Sequence, residues 1–181
     1  MASNFSGAEL TQRIGELNRT PATICEFEWR IPDFLCLPDE GGQVYFSPLF
    51  SLAGASCVLA ILPNGDVENN SFGFVGLALV RKNSVPPISL EVSFGFKTSD
   101  GKEDRSRYEV KDMSDDEAKI YVANRCLLRA ELLERKSELL ISNVFTVLCT
   151  IKHKKSTKDA GKLCVLRLVV FHIKLNLCKQ K

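Results

Sequence analysis

Chemistry needs particular side chains at particular spacings, and this chain offers few of them. His153 and His172 are its only histidines. No H-E-x-x-H segment occurs, and no Cys/His set has the paired spacing of a tetrahedral zinc site. The seven cysteines are Cys25, Cys36, Cys57, Cys126, Cys149, Cys164 and Cys178. Their number is odd and no pair has C-x-x-C spacing, so they read as reduced thiols, mostly in apolar surroundings. A Cys–His nucleophile pair such as Cys149 with His172 is possible in arithmetic only, since no local pattern places the two together. Asp115 and Asp116 are paired carboxylates, but adjacent residues on a helix point apart. There is no GxxxxGK[ST] phosphate loop, and Gly73-Phe74-Val75-Gly76 lacks the spacing of a dinucleotide fingerprint. These residues lead to the expectation of a protein that is not an enzyme and carries no catalytic residues, metal or cofactor.

Charge adds a second layer. The formal net charge of +2 says nothing about partners, but its distribution is uneven. From Lys152 to Lys181 there are nine Lys or Arg and one acid, Asp159, against 15 basic and 21 acidic residues before that point. A basic end of this kind fits either a solvated extension or an arm that meets an anionic surface. Lys152-His153-Lys154-Lys155 with Lys158 also has the composition of a nuclear localisation run. Residues 1–20 are broken up by Glu9, Arg13, Glu16 and Arg19 and do not read as a secretory signal. The longest apolar stretch, Leu163 to Leu177, is interrupted by Arg167, His172 and Lys174 and falls short of the roughly 18 residues of a bilayer span. The expected location is nuclear or cytoplasmic, with no transmembrane segment. The N-x-S/T triplets at Asn4, Asn18 and Asn69 then have no meaning as glycan sites.

The elements that position these residues are mostly strands. Leu10, Ile14 and Leu17 have helical spacing and predict a short helix within Ser6–Asn18. From Thr23 the period becomes two: Cys25, Phe27, Trp29 and Ile31 alternate with Ile24, Glu26, Glu28 and Arg30, and Pro32 ends the strand. Further strands are expected at Val44–Phe46, Cys57–Leu62, Phe72–Val80, Ile88–Lys97, Ser106–Val110 and Val144–Ile151. Phe72–Val80 is apolar nearly throughout, as in a strand buried on both sides. Pro63-Asn64-Gly65-Asp66 and Ser99-Asp100-Gly101-Lys102 are turns. Ser114–Val122 opens with three acids and predicts a helical turn or two; Arg129–Glu138 reads as a short helix or loop, and Lys152–Lys162 as a polar linker. The sum is an all-β fold, an antiparallel β-sandwich of about 7–8 strands with one or two short helices.

The order of several short motifs resembles a known family. Phe27-x-Trp29-x-Ile31-x-x-Phe34, Ser47-Pro48-x-Phe50, Leu59-x-x-x-Pro63-Asn64-Gly65, Phe94-x-Phe96, Leu127-Leu128 and Phe145-Thr146-Val147-Leu148-Cys149-Thr150-Ile151 follow one another as in MATH (meprin and TRAF homology) domains. The resemblance covers about residues 22–153 and is nearest to the MATH domains of speckle-type POZ adaptors. It divides the chain into an N-terminal segment 1–21, a MATH domain 22–153 and a basic, apolar tail 154–181, with no room for the BTB domain of those adaptors. Cys57 stands where the family usually has a Trp.

The resemblance implies capture of an extended peptide segment of a client protein by addition to a sheet edge. Carried over residue by residue, Phe94 and Tyr108 keep two groove aromatics and Lys119 keeps the groove lysine. Gly76, Asp116 and Ala118 replace three further aromatics, which implies weaker binding or another partner. Asp116 would favour a segment bearing Lys or Arg, or else it serves as the first-turn acid of a helix. Plain packing is the competing reading of Phe94 and Tyr108, and a solvated charge that of Lys119. The implied partners are peptide segments of clients and, indirectly, MATH–BTB or cullin-ligase components, with neither a small-molecule substrate nor nucleic acid among them. Two other readings stand beside this one. The chain is a structural or self-associating protein whose basic, apolar tail mediates dimerisation or membrane-surface contact, or it is a truncated adaptor that competes with its full-length relatives.

Overall fold

The structure is a computed structural model that describes residues 2–4, 9–16, 22–38, 40–52, 54–82, 90–104, 111–112 and 118–154. The strands are β1 (Ala2–Asn4), β2 (Glu9–Glu16), β3 (Ala22–Pro32), β4 (Val44–Phe46), β5 (Phe50–Leu52), β6 (Ala55–Leu62), β7 (Phe74–Lys82), β8 (Leu90–Lys97), β9 (Glu103–Asp104), β10 (Lys111–Asp112), β11 (Ala118–Leu128), β12 (Leu140–Ile141) and β13 (Val144–Lys154). A 3-10 turn spans Phe34–Cys36, and two short helices follow β11, α1 (Arg129–Glu134) and α2 (Lys136–Leu139). The first sheet has the order β1-β4-β6-β7-β11-β10, with β5 also on β6. The second has the order β2-β3-β13-β8-β9, with β12 on β13. Among the described strand pairs only β1–β4 is parallel. This is the expected all-β sandwich. Among the described residues seven strands have eight residues or more, and the remainder are two- and three-residue pieces.

Alternation explains the core. On β3 the odd-numbered Cys25, Phe27, Trp29 and Ile31 turn inward and are buried, and on β8 Val92, Phe94 and Phe96 do the same. Val75, Leu77 and Leu79 of β7 face them from the first sheet within one apolar cluster. Phe27 meets Phe50 of the opposite sheet with ring centroids 4.2 Å apart, and Phe34 and Phe96 meet Phe145 at 4.5 and 5.0 Å. Each large side chain buried in this way contributes on the order of 1.5–3 kcal/mol. β13 is the centre of the second sheet, paired with β3 over eleven positions and with β8 over seven.

Local contacts fix the corners. Ser47 is buried; its backbone N–H donates to the Leu59 carbonyl at 2.9 Å, and its Oγ accepts the Leu59 N–H at 2.9 Å. The Ser-Pro step is thus a clamp that carries the chain from β4 to β5 without leaving β6. Gly65 has φ +59, and a Cβ there would lie 1.9 Å from the Ser71 carbonyl oxygen, so the Pro-Asn-Gly turn requires glycine. Ser142 and Asn143, with φ of 54 and 63, link the paired Ile141 and Val144 as a two-residue hairpin. α1 and α2 bury Leu132 and Leu139, and Arg135 ties them to β9 through Asp104 (3.1 Å), Glu131 (2.8 Å) and Glu138 (2.8 Å).

Three local expectations are corrected. Residues 9–16 form β2 against β3, where a helix was expected over Ser6–Asn18. A spacing of four, as between Leu10 and Ile14, satisfies both a helical and a two-residue period, and pairing to β3 decides between them. Residues 118–122 are strand, where the helix over Ser114–Val122 was expected, because Ile120, Tyr121 and Val122 pair with β7; residues 114–117 lie outside the described residues. Lys152–Lys154 continue β13 instead of opening a linker, with Lys152 bonded to Glu91 at 2.9 Å. The expected strand over Ser106–Val110 and the segment Leu163–Leu177 also lie outside the described residues.

Candidate functional site

The two outer faces of the sandwich differ in chemistry. On the second sheet the outward residues are mostly polar, with Leu148 among them, and include two ion pairs: Lys97 meets Glu28 at 2.9 Å, and Lys152 meets Glu91. A shallow depression there is lined by Thr11, Glu26, Phe27, Glu28, Glu103, Leu148, Cys149 and Thr150. Its apolar members Phe27 and Cys149 are buried in the core, and three carboxylates, Glu26, Glu28 and Glu103, stand in its lining.

The first sheet is apolar on both sides. Along β7, Val75, Leu77, Leu79 and Arg81 point inward, so Phe74, Gly76, Ala78 and Val80 point outward. Register sets Leu62, Ala60 and Val58 of β6 beside Gly76, Ala78 and Val80. On the other flank Val122 and Ile120 of β11 stand opposite Ala78 and Val80. Ala60, Ala78 and Val122 form a second buried cluster, with Val44, Phe46 and Ile120 packed on it. Glycine and alanine in the middle with larger groups at the sides make a furrow along β7. At its head the Arg125 guanidinium lies 5.4 Å over the Phe74 ring and donates from Nε to the Asn70 carbonyl at 3.1 Å.

Three of the six candidate residues fall on this sheet. Gly76 is in the floor of the furrow, and a Cβ there would meet its nearest neighbours at 3.5 Å, an ordinary contact. Ala118 and Lys119 are at the start of β11, opposite Lys82 and Arg81. Lys82 is six residues from Gly76, about 20 Å along an extended strand. These positions therefore bound a long strip and not a compact pocket. Lys119 is half-buried and shares its register with Arg81, which is 1% exposed. Phe94 lies elsewhere. Its ring is 3% exposed within the main core, on the inner face of the second sheet. Tyr108 and Asp116 lie outside the described residues.

The buried thiols are poor nucleophiles. Burial pushes Cys57 up to about 11, with Arg81 pulling weakly the other way, and pushes Cys126 up to about 12. Cys25 and Cys149 are also buried, and Cys36 is exposed. Among the described residues no group of three His, Cys, Asp or Glu could hold a metal ion, and no helix is long and apolar enough to cross a membrane.

No protein-family model matches the chain, and no curated protein matches it.

The apolar outer face was legible only in part. Phe72–Val80 reads as a strand buried on both sides, and its outward half carries this surface. Arg125 and the flanking β6 and β4 residues gave no signal, because their meeting depends on strand order.

Proposed function

We propose that the chain is a non-catalytic, MATH-type interaction module that binds an extended segment of another protein along the outside of its first sheet. The observation that carries this reading is the apolar outer face of β6, β7 and β11, where Ala60, Ala78 and Val122 cluster with Val44, Phe46 and Ile120. β11 is the last long strand of that sheet; among the described residues only the two-residue β10 lies beyond it. An extended segment laid over this face can direct alternate side chains into the furrow along β7, between Ala60 of β6 and Val122 of β11. The small floor at Gly76 and Ala78 favours apolar side chains of the segment over flat aromatic stacking. Lys119, in register with the inward-pointing Arg81, belongs to the inner side of β11 and not to this face.

A peptide array tests this with the full chain and with residues 1–155. Emission from Trp29, the single tryptophan and a fully buried one, checks the fold in each. The expected result is a shared motif with apolar residues at alternate positions, whose binding falls at least tenfold in Val80→Asp. Binding indifferent to Val80→Asp, or no binding by either form while Trp29 stays buried, overturns the reading.

A further inference from the structure

The turn that joins β6 to β7 is held by its own hydrogen bonds. Asp66 N–H donates to Ser71 Oγ at 2.9 Å, and Ser71 N–H returns to the Asp66 carbonyl at 2.8 Å. Asn70 N–H donates to the Val67 carbonyl at 3.0 Å. The Asp66 carboxylate accepts the Glu68 N–H at 3.0 Å and an Asn69 side-chain N–H at 2.7 Å. Gly42 N–H ties the connection between β3 and β4 to the Gly65 carbonyl at 2.7 Å. Two large apolar side chains leave this framework for solvent: Val67 is 70% exposed and Phe72 58%. They are neighbours across Gly41, where an added Cβ would lie 3.1 Å from the Phe72 ring and 3.5 Å from a Val67 methyl. Single exposed apolar residues are ordinary. A pair held outward by a bonded turn, over a glycine with no side chain to fill the space between them, is a preformed apolar seat.

A cation stands beside it. Arg125 is exposed, on the irregular stretch of β11 between Ala123 and Leu127. Its Nε and Nη2 both donate to the Asn70 carbonyl, and the Phe74 ring centroid is 5.4 Å from its guanidinium carbon. Asn70 is two residues from Phe72, at most about 7 Å along the chain. Among the described residues Arg125 has no carboxylate partner and its Nη1 makes no hydrogen bond, whereas Lys97, Lys102, Lys152 and Arg135 each meet an acid.

We propose that this corner of the sandwich binds an internal segment of another protein, through an apolar side chain seated on Val67 and Phe72 and an Asp or Glu side chain paired with Arg125. A guanidinium already fixed by a carbonyl and a ring loses little freedom when a carboxylate reaches it. The single cation selects a carboxylate over a phosphate, whose higher charge calls for a cluster of arginines. Arg129, close by in the chain, is half-buried and donates to the Pro63 carbonyl at 3.2 Å. Glu40 and Glu68, exposed next to Gly41 and Val67 in the chain, disfavour a second acid on that side. The seat is built by loops outside β7 and does not rest on peptide binding along the furrow.

The test is a peptide array read with the full chain. Capped peptides, without terminal charges, carry one Leu or Phe in a Gly/Ser background and, a few residues away, one Asp, Asn, Lys or phosphoserine. The Asp peptides should bind about tenfold or more tightly than their Asn and Lys counterparts. That binding should be lost in Phe72→Ser, pass to the Lys peptides in Arg125→Glu and stay unchanged in Val80→Asp, with Trp29 emission as the check on each fold. If Arg125→Glu disturbs the fold, Arg125→Gln takes its place and must bring the Asp and Asn peptides to equal binding. No binding by the folded wild type, or one preference shared by the wild type and the Arg125 variant, overturns the proposal. So does binding of the phosphoserine peptides alone, or its loss in a folded Val80→Asp. A mass that rises with concentration and returns to that of one chain in Phe72→Ser would assign the seat to a second copy and overturn it as well.

Discussion

Phe94→Ala separates two roles that the sequence left open for one ring. As a groove residue, Phe94 would tolerate truncation with a stability change within about 0.5 kcal/mol, the usual effect of a surface change. As placed in the core, it lies on the inner face of β8 beside Phe96, with Cys149 of β13 opposite in the register. A buried Phe removes roughly 150–250 Å² from water, about 4–6 kcal/mol at 25 cal/mol per Å² as an upper bound. Measured Phe→Ala changes in cores run at about 3–5 kcal/mol. At about 2–4 °C per kcal/mol for a chain of this size, Tm should fall by about 6–20 °C. Urea unfolding followed by Trp29 emission gives the free energy directly. Lys119→Ala, at a half-buried position on β11, should cost less than about 1 kcal/mol in the same assay. A Phe94→Ala cost below about 1 kcal/mol would refute the core placement. A loss of peptide binding in that variant would have to be read beside its stability, since partial unfolding removes any surface.

Gly65→Ala should destabilise by well over about 1 kcal/mol, because a left-handed φ and the Ser71 carbonyl both oppose a side chain; thermal melts of wild type and variant decide it. Iodoacetamide at pH 8 should label Cys36 in the native protein and reach Cys57 and Cys126 only on unfolding, as peptide mapping would show. The same two thiols stay protonated in the fold above their ordinary value of 9.0, where the unfolded chain loses those protons, so stability should decline as pH rises past 9. At the acid end, hydrogen bonds from Lys102 and then Thr98 hold Asp100 well below the usual carboxylate range, and those from Arg135 lower Glu138. The unfolded chain therefore binds these protons first. The stability present above the ordinary values of 3.8 and 4.5 should be lost as pH falls below them, with a shallow, salt-sensitive slope that Arg135→Met reduces. Urea midpoints between pH 6 and 3 measure it.

The sequence alone determined the class of fold and much of its core. A period of two at Cys25–Ile31 and at Leu90–Phe96 commits a strand to one inward face, because successive side chains leave the backbone on opposite sides. Gly65 was legible for the same local reason, since a positive φ and a following polar turn are set within a few residues. Tertiary structure decided what depends on distant partners. It made residues 9–16 a strand by supplying β3 as a neighbour, and it turned Lys152–Lys154 into ladder by placing Ala22–Ile24 beside them. It sent the Phe94 ring into the core, and it brought Val58, Ala60, Ala78, Val80, Ile120 and Val122 from three strands onto one outer face. Each strand by itself shows only that both of its sides are apolar. Which side meets the other sheet, and which is left for a further partner, is set by strand order and register, and those arise from contacts between residues far apart in the chain.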